Sequence, residues 1–225
     1  MSVKGQVMFS IIMPVWNRAD YVAKAIDSVL GQTFEEYELL IVDDGSRDNL
    51  EEVVKPYLCD RVRYYRIPHS GVSESRNFGL KNARYALIAY LDSDNRWHHE
   101  FLEAMCAAIK STNSKYAAAY CIADRFSKDA ASRKTYRDGT IGEIFSFKKL
   151  LAGNYIDINT FVHTRDLLEH TGVFDPKLKR LVDWDFILRV TALVKPIFVP
   201  RVLVDYLFCV ADNTITAREN VEPGW

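Results

Sequence analysis

The chain has 225 residues, of which 48% are hydrophobic and 26% are charged, a balance typical of a globular protein. Its net charge is −1 with basic residues spread along the chain, so it lacks the basic face that nucleic-acid binding requires. The N-terminus does not resemble a secretory signal, and no apolar run approaches the roughly 20 residues of a membrane span. We therefore expect a cytoplasmic protein with no transmembrane segment, which can contact the inner face of the membrane peripherally.

The cysteines form neither a CxxC pair nor a Cys/His metal spacing, so we expect reduced thiols, with a secreted disulfide framework as the alternative. They are Cys59, Cys106, Cys121 and Cys209.

Strand and helix patterns alternate along the first half of the chain. Short apolar runs predict strands at residues 9–15, 38–42, 62–67 and 86–91. Helical patterns follow the first three and predict a helix capped by Asp20 and stopped by Gly31, a helix over 50–57, and a helix from Gly71. Pro14 argues against a central place for the first strand, because proline has no N–H for a sheet ladder. Apolar strands separated by helices predict an α/β fold with a mainly parallel sheet covered on both faces.

The second half is less regular. The polar segment 127–140 is expected to be a loop or an extra strand. Further strands are predicted at 158–162, 197–199 and 202–210, and helices at 165–171 and 181–193. No repeat or linker divides the chain, so we expect a single domain over residues 1–225. Its nucleotide-binding half would end at about residue 95, and residues 96–225 would bind the acceptor.

Three predicted strands end in polar clusters. They are Trp16-Asn17-Arg18, Asp43-Asp44 and Asp92-Ser93-Asp94. In parallel sheets, ligands bind beyond the carboxyl ends of the strands. The three clusters therefore predict a binding cleft along one edge of the sheet.

Asp92 and Asp94 flank a single residue, so their carboxylates can converge on one side. Two carboxylates in one small space repel each other unless a cation lies between them or one is protonated. Oxygen ligands suit Mg²⁺ or Mn²⁺, which keep coordination places open for diphosphate oxygens. The alternative is that these acids are ordinary turn or helix-cap residues.

Asp43 and Asp44 follow a strand in the same way and could accept hydrogen bonds from a ribose hydroxyl or a base N–H. The alternative, an Asp-Gly turn whose carboxylates cap the next helix, is expected for one of the two. Arg76 could neutralise diphosphate charge or could be a structural ion-pair partner of the acidic clusters.

Asp183 and Asp185 open an amphipathic helix, where either acid could cap the helix or favour its positive end. The functional interpretation is a general base that faces the cleft. Helical geometry places the two acids on different faces, so only one of them can point at a substrate. The histidines show no ligand spacing and are expected to be surface or core residues.

Five motifs in order resemble a known family. The chain is similar to the family 2 glycosyltransferases with the GT-A fold, bacterial surface-polysaccharide enzymes in particular, over roughly residues 9–190. The motifs are Ile11-Ile12-Met13-Pro14-Val15-Trp16-Asn17, Val42-Asp43-Asp44-Gly45-Ser46, Gly71-Val72-Ser73-Glu74-Ser75-Arg76-Asn77, Leu91-Asp92-Ser93-Asp94-Asn95 and Asp183-Trp184-Asp185.

The resemblance implies individual roles. The segment Pro14 to Trp16 would line the nucleobase pocket, and Asp44 would bond the base. Asp92 would lie near the ribose and diphosphate, Asp94 would bind the divalent metal, Mn²⁺ or Mg²⁺, and Asp183 would be the catalytic base of an inverting displacement. The residues assigned to nucleotide binding are Pro14, Val15, Trp16, Asn17, Asp43, Asp44, Arg76, Asp92 and Ser93.

The chain departs from the family pattern in several places. Val182 stands where many relatives have Glu, and Trp16 where Tyr is more common. The Gln-x-x-Arg-Trp motif and the membrane helices of processive synthases are missing from the sequence, which favours single-sugar addition. A third metal ligand is not evident, although Asp212 is a candidate.

By resemblance the donor is a nucleotide-sugar, with UDP favoured, and the acceptor is a saccharide, a lipid-linked molecule or a protein. A non-catalytic nucleotide-sugar binding module of the same fold is the alternative. A sugar nucleotidyltransferase would ordinarily show a Gly-rich phosphate loop after the first strand. An aspartyl-phosphate phosphatase would carry its nucleophile on the first strand, whereas here the acidic triplet follows about the fourth.

Overall fold

A computed structural model describes residues 8–128 and 134–208 of the chain. Within these residues, the strands are β1 Phe9–Val15, β2 Tyr37–Asp43, β3 Val62–Arg66, β4 Leu87–Tyr90, β5 Arg96–Trp97, β6 Ala118–Lys128, β7 Thr135–Ile141, β8 Phe161–Thr164 and β9 Ile197–Phe208. The α-helices are α1 Ala19–Leu30, α2 Leu50–Val54, α3 Val72–Asn82, α4 Phe101–Ser111, α5 Phe147–Ala152, α6 Leu168–Thr171 and α7 Val182–Leu193.

The strands form one sheet in the order β3-β2-β1-β4-β8-β6-β9-β5, with β7 paired to β6. The first four are parallel, as the sequence predicts. Beyond them the sheet is mixed, because β8 runs antiparallel to both β4 and β6, while β9 runs parallel to β6. Only the first half of the chain therefore has the pure strand–helix alternation of a parallel sheet.

Pro14 lies in a central strand, so the expectation that it disfavours this position is wrong. β4 pairs only with Phe9 to Ile12 of β1. The Ile12 carbonyl accepts the Leu91 N–H on the β4 side, and Pro14, two residues later, faces the same side. At that point β1 has passed the end of β4. The missing proline N–H therefore interrupts no ladder.

Asp20 does not cap α1, which also differs from the prediction. The helix begins at Ala19, and the cap comes from Asp48, whose Oδ2 accepts the Ala19 N–H at 2.9 Å. Asp20 lies in the first turn, where its charge favours the positive helix end. The helix stops before Gly31 as expected. The sequence alone could not predict this cap, because its donor and acceptor are 29 positions apart.

Several predicted boundaries shift by a few residues. The predicted helices at 50–57 and 165–171 each combine a 3₁₀ turn with a short α-helix, and the predicted strand at 158–162 begins as a 3₁₀ turn over Ile158–Thr160. The predicted strands at 197–199 and 202–210 are one strand, β9, up to residue 208, beyond which residues 209 and 210 lie outside the described part. The polar segment 127–140 contains the end of β6 and most of β7, so the extra strand is the correct alternative.

The core has two parts, one on each face of the sheet. Residues of α1, α2 and α4 pack on one face, and residues of α3, α5 and α7 pack on the other. The predicted coverage of both faces is confirmed, and α3 and α7 lie on the same face. Among the described helices, none has the length and apolarity needed to cross a bilayer.

Gly79 is required where α3 approaches β1. A Cβ at this position would lie 2.5 Å from Ile12 Cγ2, deep in the core. Gly79→Ala is therefore expected to lower the free energy of unfolding by about 1–3 kcal/mol through overpacking. Urea unfolding measures the effect. Gly153→Ala is the matched control, because nothing lies within 4 Å of its Cβ position and its φ of −177° suits any residue. Equal stability of the two variants would contradict this packing argument.

Candidate functional site

The loops that follow β1 and β2 are tied together at the carboxyl edge of the sheet. The Asp44 N–H donates to the Val15 carbonyl at 2.8 Å. The Asn17 N–H donates to Ser46 Oγ at 2.9 Å, and Asn17 Oδ1 accepts the Arg47 N–H at 2.7 Å. Asn17 itself adopts a left-handed φ of 50°. The Asn17 side chain thus shapes the loops, and its predicted contact with a nucleotide stays a prediction.

Asp43 is fully buried and both of its carboxylate oxygens are engaged within the protein. Oδ1 accepts the Ser46 N–H at 2.7 Å, and Oδ2 accepts the Tyr64 hydroxyl at 2.6 Å. This is the loop-shaping role that the sequence allows for one of the two acids. The structure gives Asp43 no free oxygen to offer a ligand.

Asp44 anchors the loop that leads into α3. Its Oδ1 accepts the Ser70 N–H at 2.7 Å and its Oδ2 accepts the Gly71 N–H at 2.9 Å. His69 Nδ1 lies 2.8 Å from the same Oδ2, and the His69 ring stacks on Trp16 with centroids 4.4 Å apart. Trp16 and His69 therefore form an aromatic wall beside Asp44. No spacing pattern in the sequence marks His69 as a site residue.

Arg76 joins the acidic triplet to α7. Its side chain is 3% exposed, donates from Nη2 to Asp92 Oδ1 at 2.8 Å, and forms a short ion pair from Nη1 to Asp183 Oδ1. Its Nε is buried with no hydrogen-bond partner, and the guanidinium lies 5.3 Å from the centre of the Phe174 ring. Burial opposes its charge, but Asp183 and then Asp92 outweigh burial and raise the Arg76 pKa above its ordinary value. Of the two roles predicted for Arg76, the ion pair is observed.

Asp92 is held from its other side by Asn159, a residue that the sequence did not single out. The Asp92 N–H donates to Asn159 Oδ1 at 2.6 Å, and Asn159 Nδ2 donates to Asp92 Oδ2 at 3.1 Å. Asn159 Nδ2 also donates to Asp157 Oδ1 at 2.7 Å. One chain of polar contacts therefore runs from Asp157 through Asn159, Asp92 and Arg76 to Asp183.

Asp94 has the electrostatic character expected of a cation ligand. Its side chain is 19% exposed, and the nearest cation is Arg18, whose Nη2 lies 3.7 Å from Oδ2. Burial, and then the neighbouring Asp92, raise the pKa of Asp94 to about 6. Ser93, between the two acids, is buried. Within residues 8–128 and 134–208, no group of three His, Cys, Asp or Glu side chains could enclose a metal ion. Asp212, the candidate third ligand, lies outside the described residues.

The raised pKa of Asp94 predicts how the stability of the protein depends on pH. A carboxyl whose pKa rises from 3.8 to about 6 on folding favours the folded state only when protonated, so its ionisation destabilises the protein as the pH rises from 4 past 6. We expect Asp94→Asn to raise the free energy of unfolding by about 1–3 kcal/mol at pH 8 in metal-free buffer, and to have little effect near pH 4. Urea unfolding at the two pH values checks this. A variant that is less stable than wild type at pH 8 would contradict it.

Asp183 lies in the first turn of α7, and this helix begins directly after Leu181, whose φ of 57° is left-handed. Its side chain is 34% exposed and shares the Arg76 guanidinium with Asp92. Burial raises the pKa of Asp183, while Arg76 acts in the opposite direction. Asp185 instead pairs with Arg189, whose Nη2 lies 2.7 Å from its Oδ2. The two acids therefore lie on different faces of the helix, as predicted, and Asp183 is the one that contacts Arg76 beside Asp92.

This sheet, with helices on both faces and acidic loops at its carboxyl edge, defines a GT-A fold, the architecture of nucleotide-diphospho-sugar transferases. Residues 10–167 match the sequence model of glycosyl transferase family 2. The chain belongs to this family, as its motifs predict.

Individual relatives agree with this assignment. An uncharacterised glycosyltransferase of Rickettsia typhi is 26% identical over 96% of this chain and 68% of its own length. The putative teichuronic acid biosynthesis glycosyltransferase TuaG of Bacillus subtilis is 34% identical over 43% of this chain and 39% of its own. Residues 1–349 of S. aureus TarS, solved in complex with UDP, superpose with a TM-score of 0.71 at 21% identity, which covers 91% of this chain and 61% of that one. The same TarS fragment has been solved with UDP-GlcNAc, with a TM-score of 0.73.

Proposed function

We propose that the chain is an inverting glycosyltransferase. It moves a sugar from a nucleotide-diphosphate donor, with UDP as the favoured nucleotide, to an acceptor hydroxyl in the synthesis of a surface polysaccharide or another glycan. The observation that carries the proposal is the Arg76 bridge, because it places the acid assigned to the diphosphate site, Asp92, and the acid assigned as base, Asp183, on one guanidinium.

The donor would lie along the carboxyl edge of β1, β2 and β4. The aromatic wall of Trp16 and His69 offers a surface on which a base can stack, and Pro14 and Val15 lie directly before it. UDP as the nucleotide draws support from TarS, a protein of the same fold that has been solved with UDP and with UDP-GlcNAc. Polysaccharide synthesis draws support from TuaG, whose name assigns it to teichuronic acid biosynthesis.

A divalent cation fits the residues at this edge. Asp94 and Asp92 offer oxygen donors. Burial, and then repulsion from Asp92, raise the Asp94 pKa to about 6, and a bound cation would offset both effects. Mg²⁺ or Mn²⁺ held by Asp94 would neutralise the charge of the donor diphosphate. Because the described residues offer no group of three such ligands, the cation would leave coordination places open for the donor diphosphate.

Asp183 supplies the base. Arg76 occupies its Oδ1, and its Oδ2 has no hydrogen-bond partner among the described residues. The Asp183 carboxylate takes the proton of the acceptor hydroxyl while the oxygen forms a bond to the anomeric carbon. The bond from that carbon to the diphosphate oxygen breaks on the opposite face, and the nucleoside diphosphate leaves with the electron pair. Arg76 stabilises the negative charge that develops next to Asp92.

The alternative function is a non-catalytic nucleotide-sugar binding module. Val182, in place of the glutamate that many relatives carry, favours this alternative. Asp183 favours catalysis, since a module without turnover would need the Asp94 cation to bind the donor but would need no base. We also propose that the protein acts in the cytoplasm, where a lipid-linked acceptor would bring it to the inner face of the membrane.

The experiment is a turnover panel. The protein is incubated with UDP-, GDP- and dTDP-sugars and Mn²⁺, with saccharide, lipid-linked and protein acceptors, and release of the nucleoside diphosphate is measured. We expect release from a UDP-sugar that requires the cation and increases with one acceptor class. Binding of a UDP-sugar without turnover for any acceptor would favour the binding module. The absence of both binding and turnover would overturn the proposal.

A further inference from the structure

We propose that Asp157 is a substrate-positioning residue, whose free carboxylate oxygen accepts a hydrogen bond from a sugar hydroxyl beside Asp92. The hydroxyl belongs either to the transferred sugar or to the acceptor, since both present the same chemistry. The inference rests on the proposed function and adds to it a residue from the second half of the chain.

The two oxygens of Asp157 have different environments. Oδ1 accepts two hydrogen bonds from Asn159, from its backbone N–H at 2.9 Å and from its side-chain Nδ2 at 2.7 Å. Oδ2 has no hydrogen-bond partner among the described residues. It is accessible to solvent rather than buried. One oxygen is therefore fixed by the protein, while the other has no protein partner and is not buried.

Asn159 determines where this free oxygen lies relative to the proposed chemistry. Its amide bonds Asp157 on one side and both the N–H and the carboxylate of Asp92 on the other. Asn159 is fully buried, and its carbonyl accepts the Trp97 indole N–H at 2.8 Å, so the amide has little freedom to move. Asp157 is thus held at a fixed offset from the acid assigned to the donor diphosphate.

The fold alone gives no reason for a carboxylate at this position. Burial, and then Asp92 and Asp183, raise the pKa of Asp157 to about 7, against the stabilising hydrogen bonds from Asn159. No described Lys or Arg pairs with it, so its charge is costly. A serine or asparagine would accept the same Asn159 N–H without this cost. A carboxylate that destabilises the fold and faces a cleft is the pattern of a ligand-binding group.

The test compares Asp157→Asn and Asp157→Ser, which both keep an acceptor for Asn159, with Asp166→Asn, an exposed acid outside the cleft that pairs with Lys115. In one arm, calorimetry with Mn²⁺ measures the affinity for UDP, UDP-glucose and UDP-GlcNAc. In the other arm, UDP release from the better UDP-sugar is measured while methyl β-D-glucoside is increased as a hydroxyl probe.

If the donor sugar supplies the hydroxyl, both variants bind the UDP-sugar roughly 10–100-fold more weakly and bind UDP as the wild type does. If the acceptor supplies it, affinities for UDP and UDP-sugars are unchanged, and the half-saturating concentration of methyl glucoside rises by roughly the same factor. Asp166→Asn behaves as wild type.

Wild-type values in both arms for both variants would overturn the inference. An equal fall in UDP and UDP-sugar affinity, together with a lower melting temperature, would assign Asp157 a structural role instead. If wild-type protein binds none of the three nucleotides, the proposed function fails first, and this inference fails with it.

Discussion

Asp183→Asn is expected to lower the rate of sugar transfer by roughly 10²–10⁴-fold, the usual contribution of a general base. Asparagine keeps the size of the side chain and an oxygen for Arg76, but it cannot accept a proton. UDP affinity should stay close to the wild-type value, because no nucleotide group is assigned to Asp183. The measurement is the initial rate of UDP release at saturating donor and acceptor, with calorimetry for UDP alongside.

Asp185→Asn is the matched control for this variant. Both substitutions remove one negative charge from the first turn of α7, so they change the helix end equally. Asp185, however, pairs with Arg189 away from the cleft. The control should therefore keep the transfer rate of the wild type. Turnover near the wild-type rate in Asp183→Asn would show that the base is another group.

Arg76→Met is expected to lower the free energy of unfolding by about 2–4 kcal/mol at pH 8, because it leaves Asp92 and Asp183 without their shared cation. The value lies near the lower end for a buried pair because each acid is about a third exposed, so that solvent screens part of its charge. Without Arg76, the pKa of Asp183 rises further in the folded state, because Arg76 is the cation that lowers it. The loss should therefore be smaller at pH 5 than at pH 8, because protonation of Asp183 removes its uncompensated charge. Urea unfolding at pH 8 and pH 5 measures both values.

Arg201→Met controls for the loss of an exposed arginine, since Arg201 pairs with Glu100 and both side chains are nearly half exposed. It should cost no more than about 1 kcal/mol at either pH. Equal effects of the two arginine variants would contradict the role of Arg76 as the electrostatic link between the triplet and α7.

The first half of the fold could be predicted because its signals are local. The apolar runs of β1, β2 and β4 and the polar clusters that end them are contiguous in the sequence, so both the parallel strands and their polar edge follow from it. Features that depend on distant partners could not be predicted. The Asp48 cap on Ala19 and the tolerated Pro14 both depend on the register between separate elements.

The residues of the candidate site fall into the same two groups, those that local sequence predicts and those that depend on distant partners. Short sequence motifs predict four residues of the site, namely Asp92, Asp94, Asp183 and Arg76. Asn159 belongs to no motif, and its importance arises only when β8 enters the sheet next to β4 and brings the preceding turn to Asp92. His69 is similar, since its stacking on Trp16 requires two loops that are 53 residues apart to meet.

The central claim is that the carboxyl edge of the sheet binds a nucleoside diphosphate through a cation held by Asp94. The most direct test is calorimetric titration of wild type and Asp94→Ala with UDP, in Mn²⁺ and in EDTA. We expect the wild type to bind UDP with Mn²⁺, and we expect binding to be lost or greatly weakened in EDTA and in the variant. Tight UDP binding that is insensitive both to the metal and to Asp94→Ala would contradict the account.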